Sequence, residues 1–418
     1  MLGCQLVHVV DGSSADRGDL AWCLQEELAS RNDFGRHHGE SWSWSWAGRS
    51  KMTRRILILT IEPPEQGGGM EHFIRVLANG LQANGYLVEF FHRDNCLPAR
   101  LRQLSNRFAR YATDALLGWY VGRRVQKVLD DQVVAIVSNS TIGWYPVRGL
   151  PRAAKKLHFC HGTYRGQAEA TRRLLAWRGY LKMKWWDSMV LERASCRGNL
   201  TLCNSDQTRE EVKLFFDREA PTAYCPLDTT HFRPMNRLAC RTELGLSDDK
   251  PVGLFVGSLQ PVKNFSLMRQ LIEQLPQVRW LLALRGEVPL DMEGNANLHV
   301  FQDVSHEQLP RLYGAADFSV CPSIYESFGL VVAEALACGT PVIASPGGAS
   351  RLFLGQPPLN RLLISDPCSV AEFRAAVLEV LFEPDFFRQL VLERVRPQLE
   401  ELMAPVNWLR RFADITGL

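Results

Sequence analysis

Two glutamates eight residues apart, Glu326 and Glu334, bracket Gly329 within the string VCPSIYESFGLVVAEALACGTPVIASP at residues 320–346. A carboxylate repels phosphate but accepts hydrogen bonds from hydroxyls. Gly329 lets the backbone approach a ligand closely. A helix starting beside it would present the N–H groups of Leu330 and Val331 with the positive end of the helix dipole behind them. Such an end is an anion site. A diphosphate at the amides, with hydroxylated groups on either side facing the carboxylates, would use every one of these parts, and that combination describes a nucleotide sugar. The string also fits a plainer alternative, a buried parallel-sheet crossover whose glutamates are only solvated.

The elements that must hold these groups are legible around them. An apolar run ends at Cys321, Pro322 and Ser323 make a turn, and periodicity predicts a helix over residues 328–338. Gly339 suits a left-handed C-terminal residue, Pro341 forbids continuation, and Val342, Ile343 and Ala344 begin a short buried strand. A similar unit opens the region after residue 54. There a strand at 56–61 leads through EPPEQGGG to a helix at 70–84 with Phe73, Ile74, Leu77 and Leu81 on one face, then a strand at 86–91. Gly67, Gly68 and Gly69 offer a second close backbone approach, or simply a flexible loop. Further apolar runs at 133–137, 157–160, 200–203, 252–256, 279–284 and 318–321 alternate with helical patterns, which predicts doubly wound parallel α/β architecture.

Composition bounds the partners. At 418 residues the chain is long enough for two domains with cores of their own, and a net charge of +3 is too small to argue for nucleic acid. The 11 cysteines include no C-x-x-C pair, and most lie inside apolar runs, as reduced cytoplasmic thiols do. No apolar stretch reaches the roughly 18 residues of a membrane span. Residues 1–51, with HHGESWSWSWAGRS, show neither helical period nor a secretory pattern, apart from a possible short helix at 20–29. They are expected to be a poorly ordered extension preceding a functional start at Met52. Two arginine-rich, aromatic stretches, 98–130 and 165–197, have helical spacing, the second with Leu174, Leu175, Trp177, Leu181, Trp185 and Trp186 as apolar anchors. They are either helices with a solvated basic face or a peripheral contact with anionic lipid at the inner face of the cytoplasmic membrane.

Residues 322–342 follow, almost without a gap, the pattern P-S-x-x-E-x-F-G-L-x-x-x-E-A-x-A-x-G-x-P-V, and the chain resembles the retaining glycosyltransferases of family four. Gly68, Gly69, Met70 and Glu71 match that family's G-G-x-E loop. His161 and Gly162 match its histidine step, and Asp228, Phe232 and Pro234 its interdomain linker. Gly257, Leu259 and Lys263 match its G-R-L-x-x-x-K loop, in which Ser258 replaces the arginine; Arg285 is a candidate substitute. The resemblance implies a GT-B architecture: an acceptor-side domain at 52–230, a donor-binding domain at 231–400, and a C-terminal helix at 401–418 crossing back, anchored by Trp408, Phe412 and Ile415.

It further implies transfer of a hexose-type sugar, with retention, from a nucleotide diphosphate to a glycan or lipid-linked hydroxyl, as in bacterial cell-envelope polysaccharide synthesis. Glu326, His161 and Lys263 are then the catalytic candidates. Donor contacts would come from Gly68, Gly69, Gly257, Ser258, Lys263, Arg285, Glu326, Ser327, Phe328, Gly329, Leu330, Val331 and Glu334. Glu326 would orient the transferred sugar and Glu334 the ribose. Lys263 and the amides would stabilise the leaving diphosphate, each donor worth about 3 kcal/mol. No metal or cofactor is expected, since Asp130-Asp131 and Asp248-Asp249 do not form an Asp-x-Asp motif. Two rivals share the architecture: a nucleotide-sugar epimerase, and a non-catalytic nucleotide-sugar-binding subunit.

Overall fold

The computed structural model describes residues 54–65, 69–102, 107–145, 147–246, 249–286 and 297–418. The expectations placed on residues 1–51, Met52, Gly67, Gly68 and Asp248 lie outside them.

The near-continuous apolar runs become two five-stranded sheets among the described residues, parallel throughout as runs buried on both faces require. The first contains β1 (Arg55–Leu59), β2 (Leu87–Phe91), β3 (Val133–Asn139), β4 (Lys155–Cys160) and β5 (Leu200–Cys203), in the order β2-β1-β3-β4-β5. The second contains β6 (Val252–Ser258), β7 (Arg279–Arg285), β8 (Leu298–Gln302), β9 (Phe318–Cys321) and β10 (Val342–Ala344), in the order β10-β9-β6-β7-β8. Both belong to one unit, Met52–Leu418.

Strand order decides where a ligand can sit. In the first sheet the winding reverses between β1 and β3, and in the second between β6 and β9. A crevice opens at the carboxyl ends of strands flanking such a reversal. Asn139 ends β3, Lys263 follows β6 and Glu326 follows β9, so all three stand at reversal points.

Five helices matter for the site: α1 (Gly69–Ala83), α2 (Asp206–Phe216), α3 (Phe265–Gln274), α4 (Leu330–Ala337) and α5 (Pro405–Thr416). In α1, Phe73, Ile74, Leu77 and Leu81 are buried against the first sheet. In α5, Trp408 and Phe412 enter the same core, edge-on to Phe73 and stacked on Phe159 respectively. The Trp408 indole N–H donates to the carbonyl of Tyr224, which satisfies the polar end of a buried ring.

Two expectations need correction. The helix predicted from residue 328 begins at Leu330. The Ser327 carbonyl already accepts from Ser205 Oγ at 2.6 Å, the Phe328 carbonyl from the Ala349 N–H at 2.6 Å, and Gly329 turns the chain with φ 91°. The region 165–197 is several pieces, Tyr164–Ala170, Trp177–Leu181, a wide π-helical turn Lys182–Glu192 and Arg193–Cys196. Its supposed anchors Leu174, Trp177, Leu181, Trp185 and Trp186 face solvent.

The start of β9 is pinned by charge. The buried Asp317 carboxylate accepts from Arg237, from Arg241 Nη2 at 2.5 Å and from the Val252 N–H at 2.7 Å, tying β9 to β6 where the two reversal-point strands begin. Removing one partner of a buried ionic cluster strands the others, typically at 3–5 kcal/mol. We therefore predict that Asp317→Ala lowers stability by about 3 kcal/mol in urea titration, whereas Arg209→Ala, which breaks a half-exposed pair with Asp206, costs under about 1 kcal/mol.

Candidate active site

Each residue of the site is placed by a short, well-bonded turn. After β6 the chain makes a 3-10 turn, Pro261–Lys263, closed by Asn264 in the left-handed region at φ 54°, whose side chain donates to the Pro367 carbonyl at 2.6 Å. After β9 the loop toward α4 is tied to that turn by the Ile324 N–H donating to the Val262 carbonyl at 2.8 Å. Lys263 Nζ and Glu326 Oε2 consequently meet at 2.5 Å, and Ser323 Oγ donates to the same carboxylate oxygen at 3.2 Å. A Cβ at Gly329 would stand 2.9 Å from Glu326 Cγ, so the left-handed turn and the carboxylate both require glycine. Beyond it, no backbone carbonyl among the described residues accepts from the amides of Leu330 or Val331. They are the orphan donors of a helix start.

Two cavities meet at this pair. The smaller, about 290 Å³, is lined by His161, Gly162, Tyr164, Glu192, Lys263, Tyr325, Glu326 and Ser327, among others. The larger, about 510 Å³, is lined by residues including Gly69, His72, Arg75, Gly257, Ser258, Lys263, Arg285, His306, Leu330, Val331 and Glu334. Lys263 is the residue common to both linings. Contacts from the first sheet close one side: a Cβ at Gly162 would meet Ser327 Cβ at 2.6 Å, and Tyr325 Oη accepts from the Thr163 N–H at 3.3 Å while donating to Glu211 at 2.9 Å.

Burial sets the charge states. It pulls the Lys263 ammonium down, but the Glu326 carboxylate outweighs it and leaves the lysine above its ordinary value, charged at neutral pH. Burial alone pulls His161 down to about 4, so its imidazole is neutral; Nε2 faces Asn139 Oδ1 at 2.5 Å, and the ring lies edge-on to Phe73 at 4.8 Å. Burial pushes Glu334 up to about 7, against a Tyr313 hydroxyl that donates to it at 2.9 Å and lowers it. Glu192 is pushed well above the carboxylate range by the same cause, although the Tyr164 N–H donates to it at 3.1 Å. His72 is pulled down to about 4, first by burial and then by His306 and Arg75. Its Nε2 is buried with no hydrogen-bond partner among the described residues.

The sequence candidates therefore divide. His161, Glu326 and Ser327 gather on the smaller cavity; Gly69, Gly257, Ser258, Arg285, Leu330, Val331 and Glu334 on the larger. Phe328 departs from its expected role: it is 3% exposed within the core of the second sheet and lines neither cavity. Gly329 lines neither, and acts through its backbone turn. Structure adds groups that sequence reasoning missed: Asn139, Glu192 and Tyr325 at the smaller cavity or its histidine, and His72, Arg75 and His306 at the larger. Arg75 brings a guanidinium from α1 to the lining that contains Ser258. In the sequence it reads only as the polar face of an amphipathic helix.

Two family models match in tandem, Glycosyltransferase Family 4 over residues 67–230 and Glycosyl transferases group 1 over residues 237–391. The chain belongs to glycosyltransferase family four. Among curated family members, the D-inositol 3-phosphate glycosyltransferase of Mycobacterium sp. strain KMS is 38% identical over 162 residues, an alignment spanning 36% of this chain and 34% of that relative. Solved structures share the GT-B fold. WaaG, a glycosyltransferase involved in lipopolysaccharide biosynthesis, superposes with a TM-score of 0.66 at 16% identity, covering 87% of this chain and all of that one (100%). Anabaena HepE in complex with UDP-glucose gives 0.60 at 16% identity, with 87% and 100% covered. The family-four pattern thus spans both sheets and the crevice between their reversal points.

Glu334 offers a test independent of any ligand. Its folded-state pKa of about 7 stands above the ordinary 4.5, so its contribution to stability is complete below 4.5 and lost as pH rises through 7. Glu192 acts in the same direction. The neutral imidazoles of His72 and His161 act in the opposite sense over part of this range, so the effect is read as a difference between proteins. We predict that wild type loses stability relative to Glu334→Gln, and separately relative to Glu192→Gln, as pH rises from about 5 to 7 in urea titration. A slope unchanged in both variants would refute the assignment.

Proposed function

We propose that the protein is a retaining glycosyltransferase that moves a hexose-type sugar from a nucleotide-diphosphate donor to a hydroxyl of a glycan or lipid-linked acceptor. The observation that carries this reading is the position of Lys263, salt-bridged to Glu326 at 2.5 Å and lining both cavities beside the open amides of Leu330 and Val331. A diphosphate at that junction would put its sugar in the smaller cavity with Glu326, Ser327 and His161. Its nucleoside would enter the larger cavity with Glu334 and Arg285.

Breaking the anomeric C–O bond leaves positive charge on the sugar and negative charge on the phosphate. Lys263 and the α4 amides face the negative charge without having to reorganise. With the charge met in this way, metal-independent transfer is the expectation. Glu326 accepts hydroxyl hydrogen bonds from the sugar, and neutral His161 adds a contact on the opposite side. Retention follows from front-face attack, in which the departing phosphate oxygen takes the acceptor's proton. Cytoplasmic assembly of cell-envelope polysaccharide is the setting we infer. It is supported by the sharing of this fold with WaaG, which works in lipopolysaccharide biosynthesis.

The purified chain, incubated with a panel of nucleotide sugars and chelator, should be stabilised thermally by at least one donor, with no loss on metal removal. Product analysis without acceptor separates this reading from an epimerase, which would release a modified sugar nucleotide. Glu326→Ala and Lys263→Ala should each lower turnover by about 10². Because each breaks a largely buried ion pair, Glu326→Gln, which keeps a hydrogen-bond acceptor for the ammonium, is the variant that should lose activity at the smaller cost in melting temperature. Full activity in any of these variants would overturn the site.

A further inference from the structure

The most anomalous surface lies on the outer side of the acceptor wall. In the helical stretch from Trp177 to Val190, Trp177 is 67% exposed, Trp185 59%, Trp186 50%, Val190 46% and Leu181 40%. Rings of this size normally drive burial, and a cluster of them in water marks an interaction surface. Counting the adjacent Trp185 and Trp186 as one step, they recur every four or five residues, and over Lys182–Glu192 the backbone is π-helical, so that spacing stacks them on one side. Between them runs a groove of about 530 Å³, also lined by Arg178, Lys182 and Met189. The opposite side of the same turn is buried: Asp187, Ser188, Leu191 and Glu192 point inward, and Glu192 reaches the smaller cavity.

Charge identifies the occupant. Lys182 pairs with Asp187 at 2.7 Å and Lys184 with Glu169 at 2.6 Å, so the lysines are largely neutralised. The exposed Arg172, Arg173 and Arg178 have no carboxylate partner among the described residues; Arg178 lies over the Trp177 ring and Arg172 over Tyr180, each 5.4 Å from the centroid. Amphipathic indoles interleaved with unpaired guanidiniums match the layering of an anionic bilayer surface, with phosphates outside and acyl chains beneath. No helix among the described residues is long and apolar enough to cross a membrane, so any such contact would lie in the plane of the interface.

We propose that the face formed by Trp177, Leu181, Trp185, Trp186 and Val190, with Arg178 in its groove and the exposed Arg172 and Arg173 just before it in the chain, docks on an anionic lipid leaflet and brings the wall of the smaller cavity that carries Glu192 up to a membrane-borne acceptor. The orientation of the acceptor rests on the transferase reading above; the docking does not. Flotation of the full chain with vesicles of phosphatidylcholine, with and without about 30 mol% phosphatidylglycerol, tests it. Wild type should float with the anionic vesicles, with a blue-shifted tryptophan emission, and detach as salt rises. The triple variant Trp177→Ser, Trp185→Ser, Trp186→Ser should lose at least about tenfold in partitioning, and Arg172→Gln, Arg173→Gln, Arg178→Gln should abolish the preference for anionic lipid. A urea midpoint close to wild type in both variants shows that they fold, and thermal stabilisation by the same member of the nucleotide-sugar panel that stabilises wild type separates failure of docking from failure of the donor site. Wild type that does not float at low salt, or a tryptophan variant that floats as wild type does, overturns the proposal. So does self-association of wild type that the tryptophan variant abolishes without any lipid binding, since the face would then be an interface between copies.

Discussion

An ammonium buried between two cavities must be held by something, and the geometry around Lys263 follows from that need. Its charge survives burial because Glu326 stands 2.5 Å away. Glu326 in turn keeps its place because Ser323 donates to it and because Gly329 leaves room beside it. The glycine's left-handed turn starts α4 with two open amides whose residues line the same cavity as the ammonium. Each part is an ordinary local solution. Together they make a concentrated patch of hydrogen-bond donors that water would otherwise have to satisfy, which is the preorganisation that stabilises a departing anion.

The fold supplies the second half of the site by bringing the first sheet against this patch. Gly162 admits Ser327 at a distance no side chain would tolerate, Ser205 caps α2 and also donates to the Ser327 carbonyl, and Tyr325 bridges Thr163 and Glu211. The loop that presents Glu326 is thus fixed from both sheets. α5, folded back from the second half of the chain into the first core through Trp408 and Phe412, strengthens the same association. A site assembled this way is sensitive to the relative position of the sheets, and the hydrogen bonds across the gap are where that position is registered.

Much of this was legible in the sequence where local chemistry and local structure coincide. Apolar runs of strand length bounded by turn residues read as buried strands, Gly339 followed by Pro341 reads as the end of a helix, and Lys263 stands at a motif position after a strand. What was not legible depends on topology or on competition. Asn139, Glu192 and Arg75 carry no local signature, and only strand order and the fold of the 165–197 region bring them to the cavities. Phe328 belongs to the motif yet fills the core, because the chain needs an apolar anchor where the loop enters α4. Periodicity placed Trp177, Leu181 and Trp185 on one face but could not say that the face is bare. The start of α4 moved by two residues because neighbouring segments had already claimed the carbonyls of Ser327 and Phe328.

The central claim is that the diphosphate lies at Lys263. Isothermal titration of the nucleoside diphosphate and the nucleoside monophosphate of the donor selected by the nucleotide-sugar panel, against wild type and Lys263→Ala, tests it most directly, because the two ligands differ only in the phosphate that the ammonium should meet. We expect wild type to favour the diphosphate by about tenfold or more, and Lys263→Ala to lose most of that preference while retaining monophosphate binding. An undiminished preference for the diphosphate in Lys263→Ala would contradict it.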